Sequence, residues 1–215
     1  MDNRSASQLY INPITAWVVC TEILKLKPGD TLIVNAGGSS ISRLFAQLSK
    51  VIGYRMIAVT RNNKYTNELT QSGASHVINT SKTSLHHSIM EITNGCGVTS
   101  AIDSVGGVAG TELAFCVQPY GDFLTIGLLS GLPIDWHTIS VKTNVNVRLF
   151  HLRHWNRQVS THTWQETFRC LIKLTDEGKL TLMEENSQYD LLEVNEAVSI
   201  AESAKKNIGK VFLTS

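Results

Sequence analysis

Six short runs rich in apolar and β-branched residues alternate with segments of helical periodicity, and this alternation constrains the fold more than any other feature. Between the first two runs, Leu44, Leu48 and Val51 recur at helical spacing, and Gly53 follows where that helix should end. Continuous apolar strands separated by helices are typical of a parallel sheet that is covered on both faces. The runs are residues 31–36, 55–60, 76–79, 100–103, 122–127 and 145–150.

We therefore predict an α/β fold with a doubly wound (Rossmann) six-stranded parallel sheet in the order 3-2-1-4-5-6. After residue 150 the pattern changes. Trp164, Phe168 and Leu171 mark one further helix, and Val194 and Ala197 lie in another. A last short strand is predicted at residues 211–214, and it has no evident partner among the six.

A turn of small residues follows the first strand, where this strand order opens a ligand crevice between the first and fourth strands. The turn reads Ala-Gly-Gly-Ser-Ser at 36–40, and the fourth strand ends in Asp-Ser-Val-Gly-Gly at 103–107. Small residues let backbone N–H groups approach a pyrophosphate, to which the following helix presents the positive end of its dipole. A strict G-x-G-x-x-G motif needs three glycines, and Gly37, Ser39 and Ser42 supply only the first, so an ordinary glycine-rich loop stays the alternative.

The composition excludes several classes of protein. The chain has 215 residues, of which 42% are hydrophobic and 17% charged, and its net charge is +1. The basic residues form no stripe typical of nucleic-acid binding, no apolar run is long enough to span a membrane, and residues 1–5 are no signal peptide. The four cysteines lie far apart in the sequence, which favours reduced packing thiols and a cytoplasmic location over a zinc knuckle or a redox pair.

Three motifs carry a resemblance to a known superfamily. They are Asn-Pro-Ile-Thr-Ala-Trp at 12–17, Lys-Pro-Gly-Asp at 27–30 and Phe-His-Leu-Arg-His-Trp at 150–155. In this order they resemble the medium-chain dehydrogenase/reductase superfamily, and the chain is most similar there to the zinc-free quinone reductase and 2-enoyl thioester reductase branch. The resemblance implies a dinucleotide-binding Rossmann domain at residues 1–152. It also implies, at residues 153–215, a C-terminal helical segment that returns to a substrate domain of which most is missing.

The implied activity is the NADPH-dependent, zinc-independent transfer of a hydride to a quinone or to an activated alkene, such as an enone or an enoyl thioester. In the enoyl reductases the proton donor lies in the substrate domain, so no catalytic residue is assigned. The chain is then expected to be a truncated or naturally shortened form with little turnover of its own. The alternative is an inactive nucleotide-binding or structural remnant.

The resemblance also implies a set of NADPH contacts. They are Asn12 before the proline; Gly38, Ser39, Ser40 and Ile41 at the pyrophosphate turn; Arg61, Asn62 and Asn63 at the adenosine phosphate; Ile126, Gly127, Leu128 and Leu129 after the fifth strand; Phe150, His151 and Leu152 at the nicotinamide; and Lys210. This sequence departs from the family at two places. Ser40 and Ser42 stand where glycine is usual, so either a positive φ or a close approach of helix and strand is expected to be compromised there, and His151 replaces an aromatic residue.

The choice of NADPH over NADH follows from charge. An NAD site of this type places Asp or Glu at the end of the second strand, where it hydrogen-bonds to the ribose hydroxyls. Residues 59–64 contain Arg61 and Lys64 and no carboxylate, which favours a 2′-phosphate. The alternative is that both are solvated loop charges. An arginine at this step in the NADPH sites of the similar enoyl reductases supports the first interpretation.

We predict no metal site. In the zinc-dependent alcohol dehydrogenases of the superfamily a cysteine ligand precedes the Thr-Ala helix, and Ile11 occupies that place here. The pair at 86–87 is typical of surface histidines on a polar helix. His151 and His154, expected in a strand or turn, have no third ligand spaced to complete a site.

The predicted partners are a small-molecule substrate and a second copy of the chain. Residues 145–150 should form the edge strand of the sheet, and an uncovered edge of this length favours pairing with another chain. In the superfamily this strand pairs with its two-fold mate, which implies a homodimer through the sixth strand. The alternative is an edge covered by the C-terminal segment.

Overall fold

The computed structural model describes residues 1–203 and 209–214, which form eight strands with intervening helices. The strands are β1 (Thr31–Val34), β2 (Arg55–Thr60), β3 (Ala74–Asn79), β4 (Val98–Asp103), β5 (Val117–Thr125), β6 (Asn146–Leu149), β7 (Glu185–Asp190) and β8 (Lys210–Thr214). The α-helices are α1 (Asn3–Gln8), α2 (Asn12–Val18), α3 (Ser40–Ile52), α4 (Thr66–Ser72), α5 (Leu85–Ile92), α6 (Gly107–Ala114), α7 (Trp136–Lys142), α8 (Leu152–Gln158), α9 (Thr161–Asp176) and α10 (Val194–Glu202). A π-helical turn at Val19–Ile23 continues α2, and a 3-10 turn at Leu191–Glu193 precedes α10.

The first six strands form one parallel sheet in the order β3-β2-β1-β4-β5-β6, which confirms the predicted topology. β1 and β4 are adjacent at the centre of this sheet, so their carboxyl ends border the crevice between the two halves of the fold. Apolar clusters cover both faces of the sheet, as continuous apolar strands require.

Helix α3 shows how the local sequence sets the bounds of an element. The Ser39 hydroxyl caps its first turn by accepting the Ser42 N–H, and Gly53 ends it in a left-handed conformation with φ of 95°. Its apolar stripe, which includes Phe45 and Leu48, is buried against the sheet. The helix therefore starts at the small-residue turn and points its N-terminus at the crevice.

The strand ends differ from the predicted ones for identifiable reasons. β1 ends at Val34, because Ala36 adopts a left-handed φ of 49° that cannot continue a strand. β5 starts five residues earlier than predicted and contains an irregularity near Tyr120, whose φ is 64°. It ends at Thr125 rather than residue 127. β3 and β4 each start two residues before the predicted positions, and β6 is one residue shorter at each end.

The C-terminal part contains the two predicted helices, α9 and α10, and the strand β7, which the sequence did not indicate. β8, which starts one residue before the predicted position, pairs in parallel with β7 in a second sheet. The expected strand or turn at His151 and His154 is wrong, because His151 caps α8 and His154 lies within it. None of the helices in the described ranges is long and apolar enough to cross a membrane.

Three of the four cysteines are packing residues, as predicted. Cys20 and Cys116 are buried, and burial raises the pKa of each thiol to about 12. Cys170 is half-buried and packs against the core, whereas Cys96 is exposed on the turn before β4 and does not pack there.

Candidate functional site

The floor of the crevice is a buried polar network between the ends of β1 and β4. Asn35 follows β1 and Asp103 ends β4, and both side chains are withdrawn from solvent. Asn35 Nδ2 donates to Asp103 Oδ1 at 2.5 Å, and Asn35 Oδ1 accepts the Ser104 N–H at 2.8 Å. The Asp103 carboxylate also accepts the N–H groups of Val105 and Gly106 at 3.1 Å. These bonds satisfy a buried carboxylate without a cation and hold the loop that leads into α6.

The small-residue turn lies directly against β2. The Gly37 N–H donates to Val59 O at 2.8 Å, and a Cβ on Gly37 would lie 2.8 Å from Thr60 Cγ2 and 2.9 Å from Val59 O. The turn can take up this position only because residue 37 has no side chain.

The same turn presents unpaired donors at the N-terminus of α3. Among the described residues the backbone N–H groups of Gly38, Ser40 and Ile41 have no acceptor, whereas Ser39 N–H donates to Ala36 O. Free amides at the start of a 13-residue helix suit an anionic group, because the helix dipole adds to their partial positive charges.

Helix α3 and the segment after β2 bring basic and aromatic side chains to this turn. Arg43 donates through Nη1 to Gly38 O at 2.6 Å and forms an ion pair with Glu68. The ring of Tyr65 lies against Gly38, with its centroid 5.0 Å from Arg43 Cζ and 5.1 Å from Lys64 Nζ. Glu68 is thus paired with Arg43, and the ammonium group of Lys64 lies beside the turn in a cation–π contact with Tyr65.

A cleft of about 1470 Å³ opens beside the turn, between α3, α4 and the C-terminal strands. Its described lining has five basic side chains and two acidic ones: Arg43, Lys50, Lys64, Lys179 and Lys210, with Glu68 and Glu184. Four residues predicted from the resemblance also line it, namely Gly38, Ser39, Ser40 and Lys210. The fold therefore places residues that are far apart in the sequence around one polar, cationic cleft.

The remaining predicted residues lie outside this cleft. Arg61, Asn62 and Asn63 form the exposed bend after β2, where Arg61 has no hydrogen-bond or ion-pair partner within the described chain. Asn63 Oδ1 accepts from Asn79 Nδ2 at 2.8 Å, which fixes the bend to the end of β3. Ile41 faces the core from α3, and Asn12 is the first residue of α2.

Two predicted segments lie at the ends of β5 and β6. Ile126, Gly127, Leu128 and Leu129 follow β5, and Phe150, His151 and Leu152 follow β6. Phe150 is buried and donates its N–H to Thr125 O, so the two segments are adjacent. The ring of His151 stacks on His154 with centroids 5.3 Å apart.

The two serines have helical φ angles, so the conflict with a positive φ that was one of the two expectations is wrong. Ser40 and Ser42 lie in the regular first turn of α3, and the left-handed residue of the turn is Ala36. Ser42 is fully buried, and its Oγ has no hydrogen-bond partner within residues 1–203 and 209–214. Serine is therefore compatible with the backbone at both positions, because a helical φ requires no glycine.

Three orienting residues, Asn35, Arg43 and Tyr65, were missed by sequence reasoning. Asn35 could have been found, because it directly follows the first strand at the predicted crevice. The contact of Tyr65 with Gly38 carries no signal in the sequence, since it depends on how α4 packs beside α3. The bond from Arg43 to Gly38 O is local, but nothing in the sequence pattern marks it.

The residues present suit a dinucleotide in two respects besides the free amides. The absence of side chains at residues 37 and 38 lets the turn lie closely against β2 and the Tyr65 ring, as the close packing around a dinucleotide turn requires. The hydroxyls of Ser104 and Thr125, at the ends of β4 and β5, are buried and have no hydrogen-bond partner among the described residues, as is expected where a ligand completes a site. A second cleft, of about 740 Å³ near Ser84 and Thr143, contains none of the predicted residues. Within the described ranges no group of three or more His, Cys, Asp or Glu side chains could hold a metal ion.

Comparison with known proteins gives consistent results. Residues 41–176 match the family described as zinc-binding dehydrogenase. The mitochondrial enoyl-[acyl-carrier-protein] reductase of Rattus norvegicus is 28% identical over 183 residues, which are 83% of this chain and 49% of that protein. The chain thus spans about half the length of the curated relatives that it matches.

Two solved structures extend the likeness to the fold. A Bacillus thuringiensis protein provisionally named an NADPH:quinone reductase is 54% identical with a TM-score of 0.98, over all of this chain and 65% of its own. The Escherichia coli quinone oxidoreductase, solved with NADPH, is 20% identical with a TM-score of 0.88 over 100% of this chain and 66% of its own, which shows a common fold. With a family match over residues 41–176 and with quinone and enoyl reductases among its relatives, as the sequence predicted, the chain belongs to the zinc-binding dehydrogenase family of the medium-chain dehydrogenase/reductase superfamily.

Proposed function

We propose that this chain is the NADPH-binding part of a zinc-independent reductase that delivers a hydride to a quinone or to an activated alkene. The observation that carries the proposal is the turn at residues 37–41. Three backbone N–H groups without acceptors in the described chain lie there at the start of α3, beside a cationic cleft. Such a site suits the pyrophosphate of a dinucleotide.

The charges at the end of β2 support NADPH over NADH. Arg61 is exposed and unpaired within the described residues, and Lys64 lies on the Tyr65 ring beside the turn. The nearest acidic residue of this segment, Glu68, is held by Arg43 and is not free to accept from ribose hydroxyls. A 2′-phosphate would find two cations here, whereas the 2′-hydroxyl of NADH would find no carboxylate.

We assign the other predicted residues to parts of the nucleotide by their positions in the fold. The amides of Gly38, Ser40 and Ile41 would bind the pyrophosphate, and Asn12 and Lys210 would contact the nucleotide from α2 and β8. The segments 126–129 and 150–152 would enclose the nicotinamide at the ends of β5 and β6. Bound NADPH supplies the hydride, and the protein supplies position and excludes water.

The substrate classes are taken from relatives. The 54% identical B. thuringiensis protein carries the name of a quinone reductase, and the rat relative that of an enoyl reductase. Both substrate classes contain an electron-poor double bond that accepts a hydride. In this proposal residues 1–152 form the dinucleotide-binding domain, and residues 153–215 return to a substrate domain.

We also propose a homodimer through β6. Within the described chain this strand pairs only with β5, and Val147 and Leu149 are 49% and 78% exposed. The C-terminal strands β7 and β8 pair with each other and leave the edge uncovered. An open apolar edge of this kind favours pairing with a second copy.

The test of cofactor choice compares two exposed arginines at opposite ends of β2. Arg61→Ala should weaken NADPH binding by about ten- to a hundredfold, as expected for the loss of a charge-assisted hydrogen bond, and should leave NADH binding nearly unchanged. Arg55→Ala is the matched control and should change neither. Titration calorimetry with both nucleotides measures these effects. A wild type that prefers NADH, or equal losses for both nucleotides in Arg61→Ala, would contradict the proposal.

A further inference from the structure

We infer that Asn35 is a positioning residue that fixes the loop before the nicotinamide site relative to the pyrophosphate turn. This inference rests on the proposed function. It concerns a side chain that touches neither end of the nucleotide in that proposal and acts through Asp103 and the loops behind it.

Asn35 joins the ends of two strands that are not consecutive in the chain. Its amide group donates to Asp103 Oδ1 and accepts from the Ser104 N–H, at 2.5 and 2.8 Å. It is 3% exposed, so water cannot easily replace either bond. Because Asn35 immediately precedes the turn at 36–41, these two bonds join that turn to the end of β4, beside the backbone bond from Asn35 N–H to Ile102 O at 3.3 Å.

Asp103 passes this constraint to the next loop. Its buried carboxylate accepts the N–H groups of Val105 and Gly106, and those bonds define the entry into α6. A buried carboxylate that loses the Asn35 amide must find another donor or become exposed. Either change would move residues 104–106.

The loop after β4 is in turn bonded to the loop after β5. Leu129 N–H donates to Ser104 O at 3.0 Å, and Ser130 donates to Val105 O through both its N–H, at 2.9 Å, and its Oγ, at 2.6 Å. Gly107 N–H donates to Leu132 O at 2.9 Å. The segment 126–129, which is expected to face the nicotinamide, is therefore held in register with Asn35 through two layers of hydrogen bonds.

This arrangement predicts a selective effect on the two ends of the nucleotide. Loss of the Asn35 amide should misplace the segment at the nicotinamide and leave the adenosine site after β2 unchanged. Adenosine 2′,5′-bisphosphate carries the adenosine end alone, so it reports on that site without the nicotinamide. A residue needed only for stability would affect both ligands equally.

The experiment uses Asn35→Ala with Thr99→Val as its matched control. Thr99 Oγ1 bridges the same two strands at their opposite end, where it accepts from Thr31 N–H and donates to Thr31 O, both at 2.9 Å. We expect Asn35→Ala to bind NADPH about tenfold more weakly and the bisphosphate within about twofold of wild type. Thr99→Val should bind both ligands within about twofold of wild type. Equal losses for both ligands in Asn35→Ala, or no loss, would overturn the inference.

Two further measurements keep the inference testable. If Asn35→Ala does not fold, Ser130→Ala removes two downstream bonds at an exposed position, the one that Ser130 Oγ donates to Val105 O and the one that it accepts from Leu132 N–H. It should show the same selectivity with a loss of about threefold, and an unselective or absent loss overturns the inference. If the wild type binds neither ligand, the proposed function fails. Amide hydrogen exchange then decides, because protection of residues 104–107 and 129–132 must fall in Asn35→Ala and persist in Thr99→Val.

Discussion

Replacing Gly37 with alanine should destabilise the fold, because the new methyl group would lie inside the contact distance of β2. The added Cβ would be 2.8 Å from Thr60 Cγ2 and 2.9 Å from Val59 O. Val59 O also accepts the Gly37 N–H, and β2 is held between β1 and β3, so neither side can give way easily. Gly37 does not have a left-handed φ, so the cost is steric alone. Overpacking of this kind costs about 1–3 kcal/mol.

Gly38→Ala is the comparison that tests the reasoning. A Cβ there would meet the Tyr65 ring at 2.5 and 2.6 Å, but this ring is only half-buried and can swing away. The cost should therefore be smaller than at Gly37. Tyr65→Ala in the same chain should remove most of the Gly38→Ala cost and none of the Gly37→Ala cost, because the two methyl groups meet different neighbours.

Thermal unfolding by circular dichroism measures the difference. For a domain of this size about 2 kcal/mol corresponds to a midpoint roughly 4–8 °C lower for Gly37→Ala. A midpoint unchanged within error, or a Gly37→Ala cost that Tyr65→Ala relieves, would refute the argument that contact with β2 demands glycine at this position.

Two more outcomes follow from the edge strand and the thiols. Phe150 N–H points at β5, so the Val147 N–H, three residues earlier, points at the open edge of the sheet. Val147→Pro removes this N–H and should convert a dimer at micromolar concentration into a folded monomer, which light scattering measures. A monomeric wild type would contradict the dimer. Burial raises the pKa of Cys20 and Cys116 to about 12, while unfolded thiols ionise near 9. Folding therefore favours the protonated thiols, and their contribution to stability should be constant below pH 9 and fall from there towards pH 12, by about 1.4 kcal/mol per pH unit for each thiol. Burial also raises the pKa of Tyr54 above its ordinary value, so this phenol adds to the slope in the alkaline range. Urea unfolding at several pH values should show that the fall in unfolding free energy with pH is smaller in Cys20→Ala by the contribution of one thiol. An unchanged dependence on pH would contradict the raised pKa of Cys20.

The order of the central sheet could be predicted from the apolar runs before the structure was known. Parallel strands buried on both faces consist of continuous apolar residues, and the six such runs with helices between them left few other topologies. The end of α3 was also predicted from the sequence, because Gly53 acts through local backbone geometry. Motif order also placed the chain in its superfamily, although no single motif was specific.

The contacts between distant segments around the site were visible only in the tertiary structure. Asn35 and Asp103 are 68 positions apart, and their bond exists only because β1 and β4 are neighbours in the sheet. The pairing of β7 with β8 was also not predictable, since β7 reads Glu-Asn-Ser-Gln-Tyr-Asp and has no apolar alternation. Local propensity and hydrophobic periodicity act over a few residues, so they can be predicted from the sequence. A polar contact between distant segments has no period, and it is fixed only when the packed core brings its two partners together.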